Sequence, residues 1–254
     1  MKILSIDTSS KVCGVSILDD NTLLCNLDKL AENSHSESLM PLIDSALKQE
    51  NLEIKDIDLL VCDVGPGSFT GIRIGVATVK GFCDTLNIPS VGINSLEALA
   101  YPICSLTSSN ATTANLVCSI LDCKNQNCYF ALYQNSNNEL LELIEPQAES
   151  LDCALSILDS YCNNFDTYSI TFVGDGSVNF KNEISYIFSD AIFVEEKFNL
   201  LNSYYLGLAG LNKYNTADTF PEVLPLYLKK PLAERQLEEK EKGANIKKWM
   251  ISKT

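Results

Sequence analysis

Residues 65 to 75, Gly-Pro-Gly-Ser-Phe-Thr-Gly-Ile-Arg-Ile-Gly, have the composition of an anion-binding turn. An apolar run, Ile57 to Val64, leads into them, and a helical pattern, Ile72 to Leu86, leads out. Strand, glycine-rich turn and helix aim backbone N–H groups and the positive end of a helix at a phosphate. Gly65 and Gly67 give backbone freedom, Pro66 fixes φ between them, and Ser68 or Thr70 can cap the helix. No lysine followed by Ser or Thr occurs in the turn, so it is not a P-loop. Arg73, one turn into the helix, either meets an anion or is a solvated face residue. A second candidate is Asp7-Thr8-Ser9-Ser10. Its hydroxyls and amides suit a phosphate or a metal-bound water, and equally an ordinary hairpin turn.

Other chemistries find less support. His35 is the only histidine, and one imidazole cannot make the pair that a zinc enzyme needs. No Gly-x-Ser-x-Gly elbow accompanies it, so it reads as a capping or surface residue. Gly174-Asp175-Gly176 lacks the length of a dinucleotide fingerprint. Asp122-Cys123-Lys124, with Tyr129, puts charged groups at a strand end, as a site or a plain hairpin. The ten cysteines lie mostly among apolar neighbours, as at Cys62, Cys83, Cys104 and Cys118, which is the habit of buried free thiols. Cys118, Cys123 and Cys128 are spaced by five, against the finger and ribbon spacings, so no metal site is expected. Free thiols point to a reducing, cytoplasmic compartment.

The net charge of −14 repels RNA and DNA at long range. Nucleic acid, if it matters, is therefore met only indirectly, through a more cationic subunit. No run of about 18 apolar residues suggests a membrane span. Met1 to Asp7 turns polar too soon for a signal peptide and reads as a first strand.

These residues need elements to hold them. Lys2–Asp7, Val12–Leu18 and Leu23–Leu27 read as three antiparallel strands. A helix over Ser36–Gln49 follows, with Pro41 in its first turn or kinking it. Then come strand Ile57–Val64, the glycine turn, helix Gly71–Leu86, strand Ile88–Ile93 and a helix to about Ile103. Ser105–Asn115, rich in Ser, Thr and Asn, reads as a junction. Strands Leu116–Asp122, Cys128–Tyr133 and Leu140–Ile144, helix Ala148–Cys162, strand Ser169–Gly174, helix Val178–Phe188 and strand Ala191–Val194 continue the chain. A helix over Ser203–Tyr214 and an extended Pro221–Leu228 precede a lysine-rich tail. The repeated order of three strands and then helices implies a duplicated α/β unit. The expected division is 1–106 with a returning helix 201–216, then 107–200, then an extended segment and charged tail, 217–254.

Helix Gly71–Leu86 is apolar over much of its circumference. Ile72, Val76, Val79, Cys83 and Leu86 make one stripe, and Gly71, Gly75, Thr78 and Phe82 make another, smaller face. Such a helix packs on more than its own sheet. Helix Ser36–Gln49 is its natural neighbour, and the two together read as a partner surface.

Several pieces, in order and spacing, resemble the TsaB (YeaZ) family. They are Ile6-Asp7-Thr8-Ser9, His35-Ser36-Glu37 with Leu39 to Ile43, Gly65 to Gly75, Asn94 to Ala100, Asp122-Cys123-Lys124 with Tyr129, and Pro225 to Lys229. The resemblance implies an actin/Hsp70-like ATPase fold with two related α/β subdomains and mixed sheets. It implies a non-catalytic subunit in threonylcarbamoyl modification of tRNA adenosine, pairing with the catalytic paralogue TsaD and working with the ATPase TsaE, or homodimeric alone. A His-x-x-x-His metal pair of the paralogue falls on Ser95 and Leu99 here. No metal or cofactor is then expected, and Asp7, Thr8, Ser9, Gly65, Gly67, Ser68 and Thr70 become a vestigial phosphate loop. The interface candidates it implies are Leu39, Leu42, Ile43, Ile72, Val76, Val79 and Cys83. The competing reading is a stand-alone nucleotide enzyme of the sugar-kinase kind; a peptidase is the third.

Overall fold

The structure is a computed structural model that describes residues 1–30, 34–106, 113–136, 139–217, 219 and 221–229, without the side chains of 104–106, 136 and 139. The core of the expected junction (107–112), the Cys104 side chain and the tail 231–254 lie outside the described residues.

Two five-stranded mixed sheets carry the chain. The first runs β3(Thr22–Leu30), β2(Val12–Asp19), β1(Lys2–Asp7), β4(Leu59–Asp63), β5(Ser90–Ile93). The second runs β8(Glu139–Ser150), β7(Asn127–Ser136), β6(Ala114–Asp122), β9(Tyr168–Val173), β10(Ile192–Phe193). In each, three antiparallel strands are extended by two parallel ones. The duplication expected from the sequence is therefore strand for strand.

Period-two burial divides the faces. Leu4, Ile6, Leu60 and Cys62 pack against α1(His35–Gln49) and α2(Phe69–Leu86). Ile3, Leu59 and Val61 face α7(Ser203–Thr216), a helix that returns from the far end of the chain. In the second half α4(Leu151–Cys162) and α6(Lys181–Ile187) contribute to one cluster, and α5(Asp175–Asn179) lies against β6 and β9. Between the halves lies α3(Ser95–Leu106), with Ala98 in the core of the first sheet and Leu96, Leu99, Ala100 and Ile103 in that of the second. Each fully buried Leu, Ile or Val contributes roughly 1.5–3 kcal/mol.

Two elements differ from expectation, and one of the two places expected for Pro41 is excluded. β8 runs through Ala148 to Ser150, so α4 begins at Leu151, where the Ser150 side chain accepts from Cys153 N–H. The helix expected over 178–188 is two short ones meeting at Phe180. Pro41 sits inside α1 beyond its first turn, and Ser45 donates its hydroxyl to the Pro41 carbonyl. Among the described residues no helix is long and apolar enough to cross a membrane.

Helix α7 approaches the sheet through glycine. A Cβ on Gly210 would overlap both γ-carbons of Val61, whereas one on Gly81 of α2 would meet nothing within 4 Å. Gly210→Ala is expected to destabilise the fold by about 1–3 kcal/mol. Gly81→Ala should stabilise it by about 0.5–1 kcal/mol. Urea denaturation midpoints of the two variants check both signs.

Candidate functional site

The sequence-predicted loop residues converge at the carboxyl ends of adjacent parallel strands β1 and β4, where ligands bind in open α/β sheets. Asp7 ends β1 and Asp63 ends β4, and both are almost completely buried. Gly65, at φ +95°, occupies a conformation glycine tolerates best. Ser68 caps α2, accepting from Gly71 N–H at 3.2 Å.

The glycines serve a close approach between two turns. A Cβ on Gly67 would collide with the Ser9 carbonyl oxygen, and one on Gly71 with that of Thr8. Ser68 N–H donates to Ser9 O at 2.6 Å, and the Thr8 hydroxyl donates to Gly71 O at 2.8 Å. The glycine turn is thus occupied by the neighbouring turn of its own chain.

Further donors are committed internally. Ser9 donates both its N–H and its hydroxyl to Asp7 Oδ1, each at 2.8 Å. Gly65 N–H donates to Asp63 Oδ1 at 2.7 Å, and Ser95 Oγ spans both Asp63 oxygens at 2.8 and 2.9 Å. A phosphate needs free N–H groups and a positive field; here these amides already hold carboxyl groups. Burial raises the Asp7 carboxyl above the usual range despite the Ser9 donors. Burial, and then the charge of Asp7, push Asp63 well above it. The charge of Asp7 adds to burial in raising Asp63, so the pair favours holding a proton over carrying two charges.

Arg73 stacks its guanidinium 3.8 Å from the centroid of Phe69 and donates Nε–H to Tyr227 Oη at 2.7 Å. Tyr227 belongs to an extended strap, residues 221–229. Val223 of the strap is buried in the first core, Glu222 pairs with Lys80, and Leu226 N–H donates to Val64 O. His35 opens α1 behind its cap Ser34, and its Nε2–H donates to Ser10 O at 2.9 Å. Thr70 is exposed.

The second half repeats the arrangement. Lys124 N–H donates to Asp122 Oδ1 at 2.7 Å, as Ser9 does to Asp7. Gly174, at φ +106°, and Gly176 lie so close to the Ile120 carbonyl that a Cβ on either would collide with it. Gly174 N–H is taken by Asn199 Oδ1.

The metal motif that the resemblance brings to mind does not fit here. Ser95 is engaged with Asp63, and Leu99, 2% exposed, packs into the second subdomain's core. Neither offers a nitrogen donor. Among the described residues no group of three or more His, Cys, Asp or Glu could hold a metal ion, Cys118, Cys123 and Cys128 included.

The interface candidates need correction. Leu39, Ile43, Ile72, Val76 and Val79 are at most 4% exposed and form the core between the two helices and their own sheet. Only Leu42 and Cys83 are partly open. A charge at Val76 or Val79 would therefore disrupt the fold itself. Asp63 was not singled out by sequence reasoning. Its signal was there: one carboxylate closing the apolar run Leu59 to Cys62, directly before the glycine turn.

Two mixed sheets of matching order, with glycine turns at their strand ends, define the class as the two-subdomain actin/Hsp70-like ATPase fold. A ROK hexokinase from Thermus thermophilus shares it, with a TM-score of 0.50 over 84% of this chain and 100% of its own, at 12% identity. The family model described as "TsaD: tRNA N6-adenosine threonylcarbamoyltransferase" matches residues 28–236, and the chain belongs to that family. It is similar to the Bacillus subtilis protein named tRNA threonylcarbamoyladenosine biosynthesis protein TsaB, at 34% identity over 146 residues. That match spans 58% of this chain and only 60% of the relative's length. YeaZ from Pseudomonas aeruginosa has the same fold, with a TM-score of 0.69 at 20% identity, covering 89% of this chain and 99% of its own. The TsaB (YeaZ) resemblance of the motifs and these comparisons agree.

A carboxyl whose folded pKa is raised binds more protons in the folded state. Its stabilising effect is full below the ordinary carboxylate range and is lost as pH rises through the raised value. Asp63→Asn keeps an acceptor for Gly65 and Ser95 and adds a donor toward Asp7. The variant should be more stable than wild type by about 1–3 kcal/mol near pH 8 and nearly equal near pH 4.5. Urea midpoints across that range test it; a parallel displacement at every pH would contradict a proton retained on Asp63.

Proposed function

We propose that the chain is a non-catalytic subunit in the threonylcarbamoyl modification of tRNA adenosine, acting in the cytoplasm by pairing with a catalytic paralogue, TsaD, and with the ATPase TsaE. The observation that carries the reading is the site. Its Ser9 and Gly65 amides are held by the chain's own Asp7 and Asp63, and the positions matching the paralogue's imidazoles are Ser95 and Leu99. Pairing would favour the paralogue's active conformation by differential contacts, and tRNA would be met through the complex. A homodimer would use the same face when the paralogue is absent.

Exposure supports that face. On α1, Met40 is 49% exposed, and on α2 Ala77 and Gly81 look outward, flanked by the partly open Leu42, Ile74 and Cys83. Small residues let a partner helix come close, and buried Leu39, Ile43, Val76 and Val79 support the face from below. Alone, the same fold would suit a sugar-kinase-like nucleotide enzyme, and ATP binding by the chain by itself would support that alternative.

Two experiments test the reading. In a reconstitution with paralogue, ATPase, threonylcarbamoyl donor and tRNA, product formation should depend on this chain; product formed equally without it refutes the proposal. Ala77→Glu should weaken pairing at least tenfold, seen by mass in solution, with the thermal melt of the monomer unchanged. Val79→Glu should instead lower the melt sharply. Full pairing by Ala77→Glu and Met40→Glu would move the interface elsewhere.

A further inference from the structure

The strap that crosses the first subdomain ends on the second. Lys229 puts its Nζ 2.9 Å from Cys123 Sγ, with the Tyr129 ring centroid 5.6 Å from the same nitrogen. We infer that Cys123 and Lys229 are the two halves of an oxidation-driven covalent latch, a sulfur–nitrogen bridge formed in response to peroxide.

Access and contact single out this thiol. Cys13, Cys62, Cys118, Cys128 and Cys162 are buried. Burial pushes the Cys13 and Cys162 thiols up to about 11 and Cys128 up to about 12, which keeps them protonated and inert at neutral pH. Cys123 is partly open to solvent. Among the described residues it is the one cysteine hydrogen-bonded to a lysine. It occupies the position in the second hairpin turn that Thr8 occupies in the first, next to the equivalent aspartate, Asp122. Thr8 ties its turn to α2 through its hydroxyl, whereas Cys123 ties its turn to the strap.

The chemistry balances with one peroxide. The sulfur attacks hydrogen peroxide, an S–O bond forms, the O–O bond breaks and one water leaves, giving a sulfenic acid. The Lys229 nitrogen, having released its ammonium proton, attacks the sulfur. An S–N bond forms, the S–O bond breaks, and the hydroxyl leaves as a second water with a proton from nitrogen. The sulfur loses two electrons and the peroxide gains them. A separation near 3 Å is that of reactants already positioned to react. Attack on the sulfur by an added thiol returns the amine and, after exchange with a second thiol, the free cysteine.

The bridge would fasten the second subdomain's hairpin to a strap already anchored in the first by Val223, Leu226 and Tyr227. This inference does not depend on the proposed role in tRNA modification, since its test reads the chain alone.

Peptide mapping of the full chain after graded peroxide treatment should yield a Cys123–Lys229 linked peptide. Its mass should be about 2 Da below the sum of its parts, and dithiothreitol should abolish it. Lys229→Arg keeps the charge but lacks the nucleophilic amine. It should lose the link and show several-fold more dimedone trapping at Cys123, and Cys123→Ser should lose both. The latch is overturned if Cys123 is oxidised without the linked peptide. Equal dimedone trapping in wild type and Lys229→Arg would overturn it as well. So would a Cys123 that stays reduced at peroxide concentrations that oxidise the exposed Cys153.

Discussion

The contact on which the rest depends is between backbones. The turn after β4 lies against the turn after β1 so closely that neither Gly67 nor Gly71 has room for a Cβ. From that approach follows the fate of every group nearby. Ser68 N–H reaches Ser9 O, the Thr8 hydroxyl reaches Gly71 O, and Asp7 and Asp63 are buried at adjacent strand ends. Buried carboxyl groups need donors. They find them in Ser9, Gly65 and Ser95, the donors a phosphate would otherwise require. A turn of anion-binding composition serves here as an internal joint. Its Arg73 serves that joint by gripping the strap.

The same solution appears twice. Asp7 with Ser9 and Asp122 with Lys124 hold their hairpin turns in the same way. Gly67 and Gly71 against Thr8 and Ser9 have their counterpart in Gly174 and Gly176 against Ile120. Strand order repeats as well, β3-β2-β1-β4-β5 against β8-β7-β6-β9-β10. The halves differ in what covers them. The first sheet has helices on both faces, one of them α7 from the far end of the chain, and the second borrows α3 for one face.

Much of this was legible in the sequence, for reasons that can be named. Strand β1 to strand β3 followed from apolar runs and turn residues, and the duplicated order followed from their recurrence. The stripe Ile72, Val76, Val79 correctly announced a buried face. Periodicity reports that a face is buried and not against what; here the chain's own sheet and the neighbouring helix cover it. Gly65 to Gly75 was recognised as a special turn, but glycines needed for a close approach look the same whether phosphate or backbone approaches. The continuation of β8 to Ser150 was hidden because Ala148 and Glu149 suit a helix as well as a strand. The strap carried no period at all; Val223, Leu226 and Tyr227 are fixed by tertiary partners far away in sequence.

Helix α7 has a consequence for how the chain is made. Ile3, Leu59, Val61, Val91 and Ile93 are covered by residues near Leu206 and Leu211. During synthesis the first sheet therefore emerges from the ribosome with one oily side bare. It stays so while the whole second half is translated and assembles its own centre. Domains that finish in order of synthesis avoid such a wait. This one completes its beginning last, and a nascent chain stalled short of residue 203 would present the uncovered side to chaperones.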